Sequence, residues 1–301
     1  MSLGTKAVLI IGGNGYLGVH LAYRLRKDYR VTSASFEGKL VPIKGVLSVR
    51  LNFKDENFIK ALILRTAPEF VIYIGGPHVT AWAEKEPKVA ELYHANGIGE
   101  ILKTSELVHS QFLYISSCFV FDGHRGNYKE TDTISPYMNL GRFKASGENF
   151  VRSRASTYSI LRLPPLYGRG HPYRPGFLDR LHQRLLNNEP TELQDYELYN
   201  FASATETAET IKTMFAQGLR KGTYHYGGLT RLTHFRFAQS YARAFNLNEK
   251  LIVPIDRPYA KSSVDTHHKL DFSMNCTEIL KAYSVKTYEV EKTLKVDPFF
   301  V

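Results

Sequence analysis

A glycine-rich turn lies near the start of the chain. Glycines at positions 12, 15 and 18 follow an all-apolar run, Ala7–Ile11, and precede an amphipathic pattern that extends to about Lys27. Between a strand and a helix, this spacing allows a tight turn and lets the backbone approach a pyrophosphate, which the N–H groups at a helix N-terminus bind. The turn therefore predicts a dinucleotide site, with a purely structural glycine turn as the alternative. The predicted contacts are Gly12, Gly13, Asn14, Gly15, Tyr16, Leu17 and Gly18.

The end of the second predicted strand bears on which dinucleotide binds. An acid there would bind the 2′-hydroxyl of the adenosine ribose. The chain instead continues from Ser35 through Glu37 to Lys39. Ser35 with Lys39 would tolerate a 2′-phosphate, which favours NADP over NAD, unless Ser35 is an ordinary loop residue. Asn52, just after the third predicted strand, is a candidate for the adenine edge or an ordinary loop residue.

Aromatic and basic residues crowd the loop after the sixth predicted strand. They are Tyr167, Arg169, His171, Tyr173 and Arg174. Guanidinium groups suit a diphosphate, and aromatic rings suit a nucleobase or a sugar. We predict substrate contacts from Tyr167, Arg169 and Arg174, with a basic surface loop as the alternative.

Composition limits the class of protein. The 301 residues, 43% of them hydrophobic, suffice for one large α/β unit or one with an appended lobe. No apolar run approaches the roughly 20 residues that span a bilayer, and Met1–Gly4 lacks signal-peptide features. Cys118 and Cys276 form neither a disulfide framework nor a metal-binding spacing. We therefore expect a cytoplasmic protein without metal or membrane association.

The chain is basic, with a formal net charge of +10. Lysines and arginines are scattered without a dense basic block, and no nucleic-acid motif is present. The charge indicates either a solvated surface or attraction of a dinucleotide and a phosphorylated substrate. We expect a small-molecule partner and no nucleic acid.

Apolar runs alternate with helical patterns through most of the chain. Predicted strands lie at Ala7–Ile11, Val31–Ser35, Val46–Leu51, Phe70–Ile74, Phe112–Ser116 and Tyr158–Leu161, with one long helix at Pro87–Val108. This alternation predicts an α/β fold, a Rossmann-type doubly wound parallel sheet with a smaller C-terminal lobe. We assign residues 1–165 to the dinucleotide-binding domain, with core strands extending to about residue 230, and residues 166–301 mostly to a substrate-binding lobe.

Several further segments carry a family resemblance. They are Phe70–His78, Tyr114–Gly123, Tyr128–Asp132, Gly141–Glu148 and Leu161–Gly168. With the glycine turn, they make the chain similar to the extended short-chain dehydrogenase/reductases, the NAD-dependent epimerase/dehydratase superfamily. Within that group the chain resembles dTDP-4-dehydrorhamnose reductase and its relatives. The likeness covers nearly the whole chain and is specific up to Gly168.

The resemblance implies a nicotinamide cofactor, NADP or NAD, a nucleotide-sugar substrate and a possible homodimer. It implies that Ser117 polarises the substrate carbonyl and that Lys144 holds the cofactor ribose, although a structural serine and a surface lysine are the alternatives. Further implied cofactor contacts are Gly75, Gly76, Pro77 and Leu163, and implied substrate contacts are His78 and Phe119.

Two departures from the family pattern concern the reaction. The position of the family's proton-donating tyrosine, four residues before Lys144, is Leu140, and the acid that dehydratases carry after the serine is Cys118. Water elimination is therefore disfavoured. His78, Tyr137 or a water molecule are the candidates for a substitute proton donor, of which His78 is the best placed by sequence.

Two hypotheses follow. One is a reductase or epimerase of a sugar nucleotide with an altered proton route, which the retained Ser117 and Lys144 favour. The other is a catalytically silent NAD(P)-binding sensor or regulatory subunit, which Leu140 favours. The regulatory subunit of methionine adenosyltransferase belongs to the same wider branch, so the second role has a precedent by resemblance.

Overall fold

A computed structural model describes residues 6–36, 38–173, 175–255 and 269–295. The chain divides into two compact units. The first contains the described residues of 1–121, 133–162 and 208–224, and the second those of 122–132, 163–207 and 225–301.

The strands are β1 Ala7–Ile11, β2 Arg30–Ser35, β3 Val46–Arg50, β4 Phe70–Tyr73, β5 Gln111–Ser117, β6 Tyr158–Leu163, β7 Leu166–Tyr167, β8 Thr191–Gln194, β9 Glu197–Leu198, β10 Ala202–Ser203, β11 Gly222–His225, β12 Ile252–Ile255 and β13 Leu270–Asp271. Seven of them form one sheet in the order β11-β6-β5-β4-β1-β2-β3. The pairs β2–β3, β1–β2, β1–β4 and β4–β5 are parallel. The predicted Rossmann-type parallel sheet is therefore confirmed.

The helices are α1 Tyr16–Leu25, α2 Glu56–Thr66, α3 Thr80–Lys85, α4 Pro87–Glu91, α5 Ile98–Leu107, α6 Asn139–Arg154, α7 Phe177–Leu186, α8 Ala204–Gln217, α9 His234–Ala244, α10 Thr277–Tyr283 and α11 Val290–Thr293. A π-helical turn, Leu92–Asn96, joins α4 to α5, and Cys118–Val120 and Glu249–Leu251 form 3₁₀ turns. The helix predicted at Pro87–Val108 is therefore present, but as two α-helices joined by a π-turn rather than as one continuous α-helix. No glycine or proline lies within Leu92–Asn96 to mark the interruption in the sequence.

Helices cover both faces of the sheet, as continuous apolar strands require. All residues of β1, β4 and β6 are buried. On one face, Val71 and Tyr73 of β4 join a core with residues of α2, α5 and α6. On the other, Phe70 stacks on Phe215 of α8, with ring centroids 4.0 Å apart. Side chains of a strand alternate between faces, so this core fixes the register of β4.

The second unit contains three short parallel strand pairs, β7–β10, β8–β12 and β9–β13. Aromatic rings fill its interior; Phe201 stacks on Phe237 at 4.6 Å and Tyr199 on Phe272 at 5.6 Å between centroids. Within the described ranges, we find no helix with the length and apolar character needed to cross a bilayer.

Candidate functional site

The glycine turn connects β1 directly to α1 and is fastened to the carboxyl end of β2. Gly12 has φ +95°, a conformation that favours glycine. The amides of Gly12 and Gly13 both donate to Ala34 O, at 2.8 and 3.0 Å, and the Gly15 amide donates to Gly12 O at 2.9 Å. The turn is therefore a fixed structure at the carboxyl edge of the sheet, where ligands of such folds bind.

The glycines of the turn are needed for different reasons. A Cβ on Gly13 would lie 2.0 Å from Ser33 Oγ, and one on Gly18 would lie 2.5 Å from Gly12 O, so internal packing requires both glycines. Gly15 is exposed, and the only described atom within 4 Å of its Cβ position is Gly12 O at 3.1 Å. A side chain at Gly15 would therefore make one tight contact, with Gly12 O, and would otherwise project into solvent beside the N-terminus of α1, which begins with Tyr16 and Leu17.

Asn14 connects the turn to the loop after β2. Its amide donates to Ser35 Oγ at 2.8 Å, its Nδ2 donates to Lys39 O at 3.0 Å, and its Oδ1 accepts from Val41 N at 3.0 Å. Ser35 is only 2% exposed, so its hydroxyl holds the turn in place. This structural role of Ser35 was not expected from the sequence, and its predicted contact with a 2′-phosphate stays a prediction.

Aromatic rings pack beside the carboxyl ends of β2 and β3. Phe36 stacks on Phe53 with centroids 3.9 Å apart, and both rings lie near Tyr93, at 5.2 and 5.5 Å. Asn52 is exposed, and its Oδ1 accepts from Lys54 N at 3.0 Å. An adenine contact from Asn52 thus stays a prediction, and the stacked phenylalanines next to it are neighbours that sequence reasoning did not single out.

The loop after β4 packs against the π-turn. Gly75 has φ +83°, and a Cβ there would lie 2.5 Å from Tyr93 O; a Cβ on Gly76 would lie 2.4 Å from the Tyr93 ring. Both glycines are therefore required by the close approach of Tyr93. Pro77 is exposed, and its carbonyl accepts from His94 Nε2 at 3.1 Å.

Lys144 is completely buried, on the turn of α6 that faces β4 and β5. Its Nζ donates to Ile74 O at 3.0 Å and to Ile115 O at 2.7 Å, and it lies 5.1 Å from the centre of the Tyr114 ring. Burial lowers the pKa of Lys144 well below its usual range. In this arrangement the Lys144 amino group links the carbonyl that follows β4 to one within β5.

Leu140 lies one helical turn before Lys144 and is also completely buried. It forms an apolar cluster with Ala83 and Ala90, against which Trp82, Phe119 and Phe143 pack. The N-terminus of α6 is held by Glu84 of α3, which accepts from the Asn139 amide at 2.7 Å and from Asn139 Nδ2 at 2.8 Å. Leu140 is therefore part of a closed hydrocarbon contact between α6 and the α3–α4 segment.

Ser117 ends β5 and is 5% exposed. Its Oγ accepts from Phe119 N at 3.3 Å, which caps the 3₁₀ turn that follows. Cys118 is buried within that turn. Ser117 thus lies at the strand end where the sequence placed it, with its hydroxyl already engaged by the backbone.

His78 is the residue that the sequence favoured as a substitute proton donor. Its Nε2 donates to Ile74 O at 3.0 Å, and its ring meets that of His94 edge to face at 5.3 Å. Loss of water on the inner side of the ring and the Lys144 charge lower the pKa of His78, although the residue remains exposed. A neutral imidazole whose N–H is engaged is a poor proton donor, which argues against that role for His78.

A buried network of charged and polar side chains connects α6 to β5 and β6. Arg162 of β6 donates to Glu148 of α6 with Nε at 2.8 Å and Nη2 at 2.7 Å. Ser116 Oγ donates to the same carboxylate at 2.6 Å, and Arg152 Nη2 at 2.7 Å. The signal for this network was present in the sequence, because Arg162 is the one charge in an otherwise uncharged buried strand.

The network predicts a pH dependence of stability. Burial alone would raise the pKa of Glu148, but Arg162, Ser116 and Arg152 together lower it. A lowered folded-state pKa contributes stability that is present above the unfolded pKa, about 4.5, and is lost as the pH falls through the folded value. We expect the free-energy difference between wild type and Glu148→Gln in urea unfolding to be constant above that pH and to narrow below it. A difference that widens in acid would contradict this.

The remaining predicted residues lie in the second unit. Tyr167 is buried, with its hydroxyl bonded to Thr293 Oγ1, and Leu163 is 4% exposed. Arg169 Nε donates to Asp179 at 2.9 Å, and the same carboxylate accepts from the Gly170 and Gly176 amides. Asp179 thus organises the loop that carries Arg169. Arg174 lies outside the described residues.

The parallel sheet, the glycine turn between β1 and α1, and Lys144 beside the end of β4 define a Rossmann-type protein of the extended short-chain dehydrogenase/reductase class. Residues 6–296 match the family described as "RmlD substrate binding domain", and the chain belongs to that family.

The relatives with similar sequences include both a subunit of another enzyme and a reductase. The chain is 24% identical over 281 residues to methionine adenosyltransferase 2 subunit beta of Pongo abelii, covering 91% of this chain and 82% of that protein. It is 22% identical over 299 residues to dTDP-4-dehydrorhamnose reductase of Aggregatibacter actinomycetemcomitans, covering 96% and 97%.

Solved structures share the fold. The dTDP-4-dehydrorhamnose reductase of Bacillus anthracis, solved in complex with NADP, has a TM-score of 0.82 at 20% identity and covers 97% of this chain and 98% of its own. The UDP-glucose 4-epimerase of Thermotoga maritima, solved with UDP-glucose, has a TM-score of 0.81 at 19% identity and covers 97% of both chains.

Proposed function

We propose that this protein binds a nicotinamide dinucleotide on the Gly12–Gly18 turn and acts as a binding protein, a sensor or regulatory subunit, rather than as a fast reductase. The observation that carries the binding proposal is the fixed turn with its exposed Gly15, beside a helix N-terminus whose first N–H groups have no acceptor within the helix. The NADP in the related Bacillus anthracis reductase supports the same ligand class.

The residues of the turn would hold the pyrophosphate. The backbone at Gly15 can approach it closely, and the amides at the start of α1 would donate to its oxygens. Asn14 would keep the turn and the loop after β2 in the same relative position. When bound, the nicotinamide ring would supply or accept a hydride.

The slow or silent chemistry rests on Leu140. A carbonyl that receives a hydride also needs a proton, and the loss of a positioned acid costs typically about 10²–10⁴-fold in rate. Leu140 cannot give a proton, and it packs into an apolar cluster with Ala83 and Ala90. Lys144 and the Ser117 hydroxyl are engaged by backbone groups.

A reductase or epimerase of a nucleotide-sugar is the second candidate. It is favoured by the presence of Ser117 and Lys144 at the strand end and on the helix where the family chemistry needs them. In that case water would supply the proton, and proximity to the nicotinamide would preserve part of the rate.

Leu140→Tyr separates the two candidates. We expect wild type to oxidise NADPH with 4-keto nucleotide-sugars slowly or not at all. We expect Leu140→Tyr to gain no rate and to lose about 1–3 kcal/mol of unfolding free energy, because a larger ring overfills the cluster. Leu140→Met, which conserves volume, is the control and should stay within about 1.5 kcal/mol of wild type. A gain of about 100-fold or more in Leu140→Tyr would establish the reductase instead.

The regulatory role has its own test. The name of the mammalian relative suggests that the partner would be the catalytic subunit of a methionine adenosyltransferase. Size-exclusion chromatography of this protein mixed with the methionine adenosyltransferase of the same organism, with and without NADP, should show a co-migrating complex. Separate elution under both conditions would count against that partner.

A further inference from the structure

Arg50, the last residue of β3, lies beside the glycine turn. In the parallel pair β2–β3, Arg50 is the register partner of Ser35. Register partners on neighbouring strands project from the same face of the sheet. The Ser35 hydroxyl accepts from the Asn14 amide, so this face is the one on which the turn lies. The Arg50 side chain therefore starts towards the turn that would hold the pyrophosphate.

The guanidinium of Arg50 is fixed by the loop after β2. One Nη donates to Gly38 O, and Asn14 holds the same loop at Lys39 O and Val41 N. Arg50 is exposed, and none of the ion pairs among the described residues involves it. One donor edge is thus used for positioning, while the rest of the planar group stays able to bind an anion.

We propose that Arg50 recognises the 2′-phosphate of NADP and makes this protein prefer NADP over NAD. The inference rests on the proposed dinucleotide binding. In Rossmann folds the adenosine ribose lies near the end of β2, next to the Arg50 position in β3. A guanidinium binds a phosphate through paired, charge-assisted hydrogen bonds that a 2′-hydroxyl cannot equal. The discriminating charge would therefore come from β3 and not from the residues that directly follow β2.

Calorimetry on purified, dinucleotide-free protein tests the proposal. We expect wild type to bind NADPH more tightly than NADH. We expect Arg50→Met to weaken NADPH binding by at least about 10-fold, the value of one hydrogen bond to a charged group, and to leave NADH affinity unchanged. Arg30→Met is the matched control, because Arg30 occupies the opposite end of β2 and donates to Thr66 O. It should change neither affinity.

Two fragments of the dinucleotides and a conservative variant test the proposal without relying on Arg50→Met alone. With wild type, adenosine 2′,5′-bisphosphate should bind more tightly than adenosine 5′-monophosphate, and rising salt should reduce this advantage because exposed charges are screened. Arg50→Lys, which keeps the charge without the planar fork, should retain part of the preference.

The outcomes separate the two proposals. If wild type binds NADH and NADPH equally, or if Arg50→Met weakens both to the same extent, the role of Arg50 is refuted and dinucleotide binding stands. If wild type binds neither dinucleotide, the proposed function fails, and the role of Arg50 fails with it.

Discussion

Gly15→Val should abolish dinucleotide binding while the protein stays folded. Valine branches would occupy the space through which the backbone approaches the pyrophosphate, and several charge-assisted hydrogen bonds would be lost together. We expect NADPH affinity to fall by at least about 100-fold, the cost of two or more such bonds. The measurement is calorimetry, with the fluorescence of Trp82, the only tryptophan of the chain, as a check that the first unit is folded.

Two other glycines supply the controls. Gly99, in α5, has no described atom within 4 Å of its Cβ position, so Gly99→Val should change neither binding nor folding. Gly18→Ala should instead destabilise the fold, because its methyl group would lie 2.5 Å from Gly12 O and 2.6 Å from Gly13 Cα. Unchanged NADPH affinity in a folded Gly15→Val variant would rule out this turn as the dinucleotide site.

Glu148→Gln should be the most destabilising isosteric change in the first unit. It leaves the Arg162 guanidinium, which is 1% exposed, without its carboxylate. Removing one partner of a buried ion pair costs about 3–5 kcal/mol, because the remaining charge stays desolvated. Urea unfolding followed by Trp82 fluorescence would report the loss, since Trp82 and the ion pair belong to the same unit.

The control is an exposed ion pair. Lys6 and Glu69, in the same unit as Trp82, are 2.6 Å apart with side chains 57% and 33% exposed, so Glu69→Gln should cost only about 0–1 kcal/mol. The double variant Glu148→Gln with Arg162→Met should lose less stability than the sum of the two single variants, because it no longer buries an uncompensated charge. A loss under about 1 kcal/mol in Glu148→Gln would contradict a structural role for this pair.

Patterns among neighbouring residues explain which parts of the fold could be predicted from the sequence. In the sequence, the glycine turn follows an apolar run and precedes residues with helical periodicity. The hydrogen bonds of Gly12, Gly13 and Gly15 place the turn between a strand and a helix, as that order predicts. The strands were recognisable because a parallel sheet buried on both faces needs continuous apolar residues. The interruption of the predicted long helix at Leu92–Asn96 was not recognisable, because no glycine or proline lies within those residues to mark it.

Contacts between residues distant in the chain explain which features could not be predicted from the sequence. Ser35 was predicted to be a ligand residue or an ordinary loop residue, and the hydrogen bond that its hydroxyl accepts from Asn14, 21 positions earlier in the chain, could not be foreseen. Lys144 was placed on the correct helix, but its carbonyl partners, Ile74 and Ile115, are 70 and 29 positions away. A sequence pattern records the type of such a side chain but not the group that its polar atom meets.

The sequence by itself determined the class of fold, the strand–turn–helix at the N-terminus and the absence of a hydroxyl at Leu140, because each depends on neighbouring residues or on residue type alone. Only the tertiary structure decided that Leu140 packs into a closed cluster, that Glu148 and Arg162 pair in the interior, and that Arg50 shares a face with Ser35. These facts depend on strand order, register and helix packing, which bring together residues that are distant in the chain.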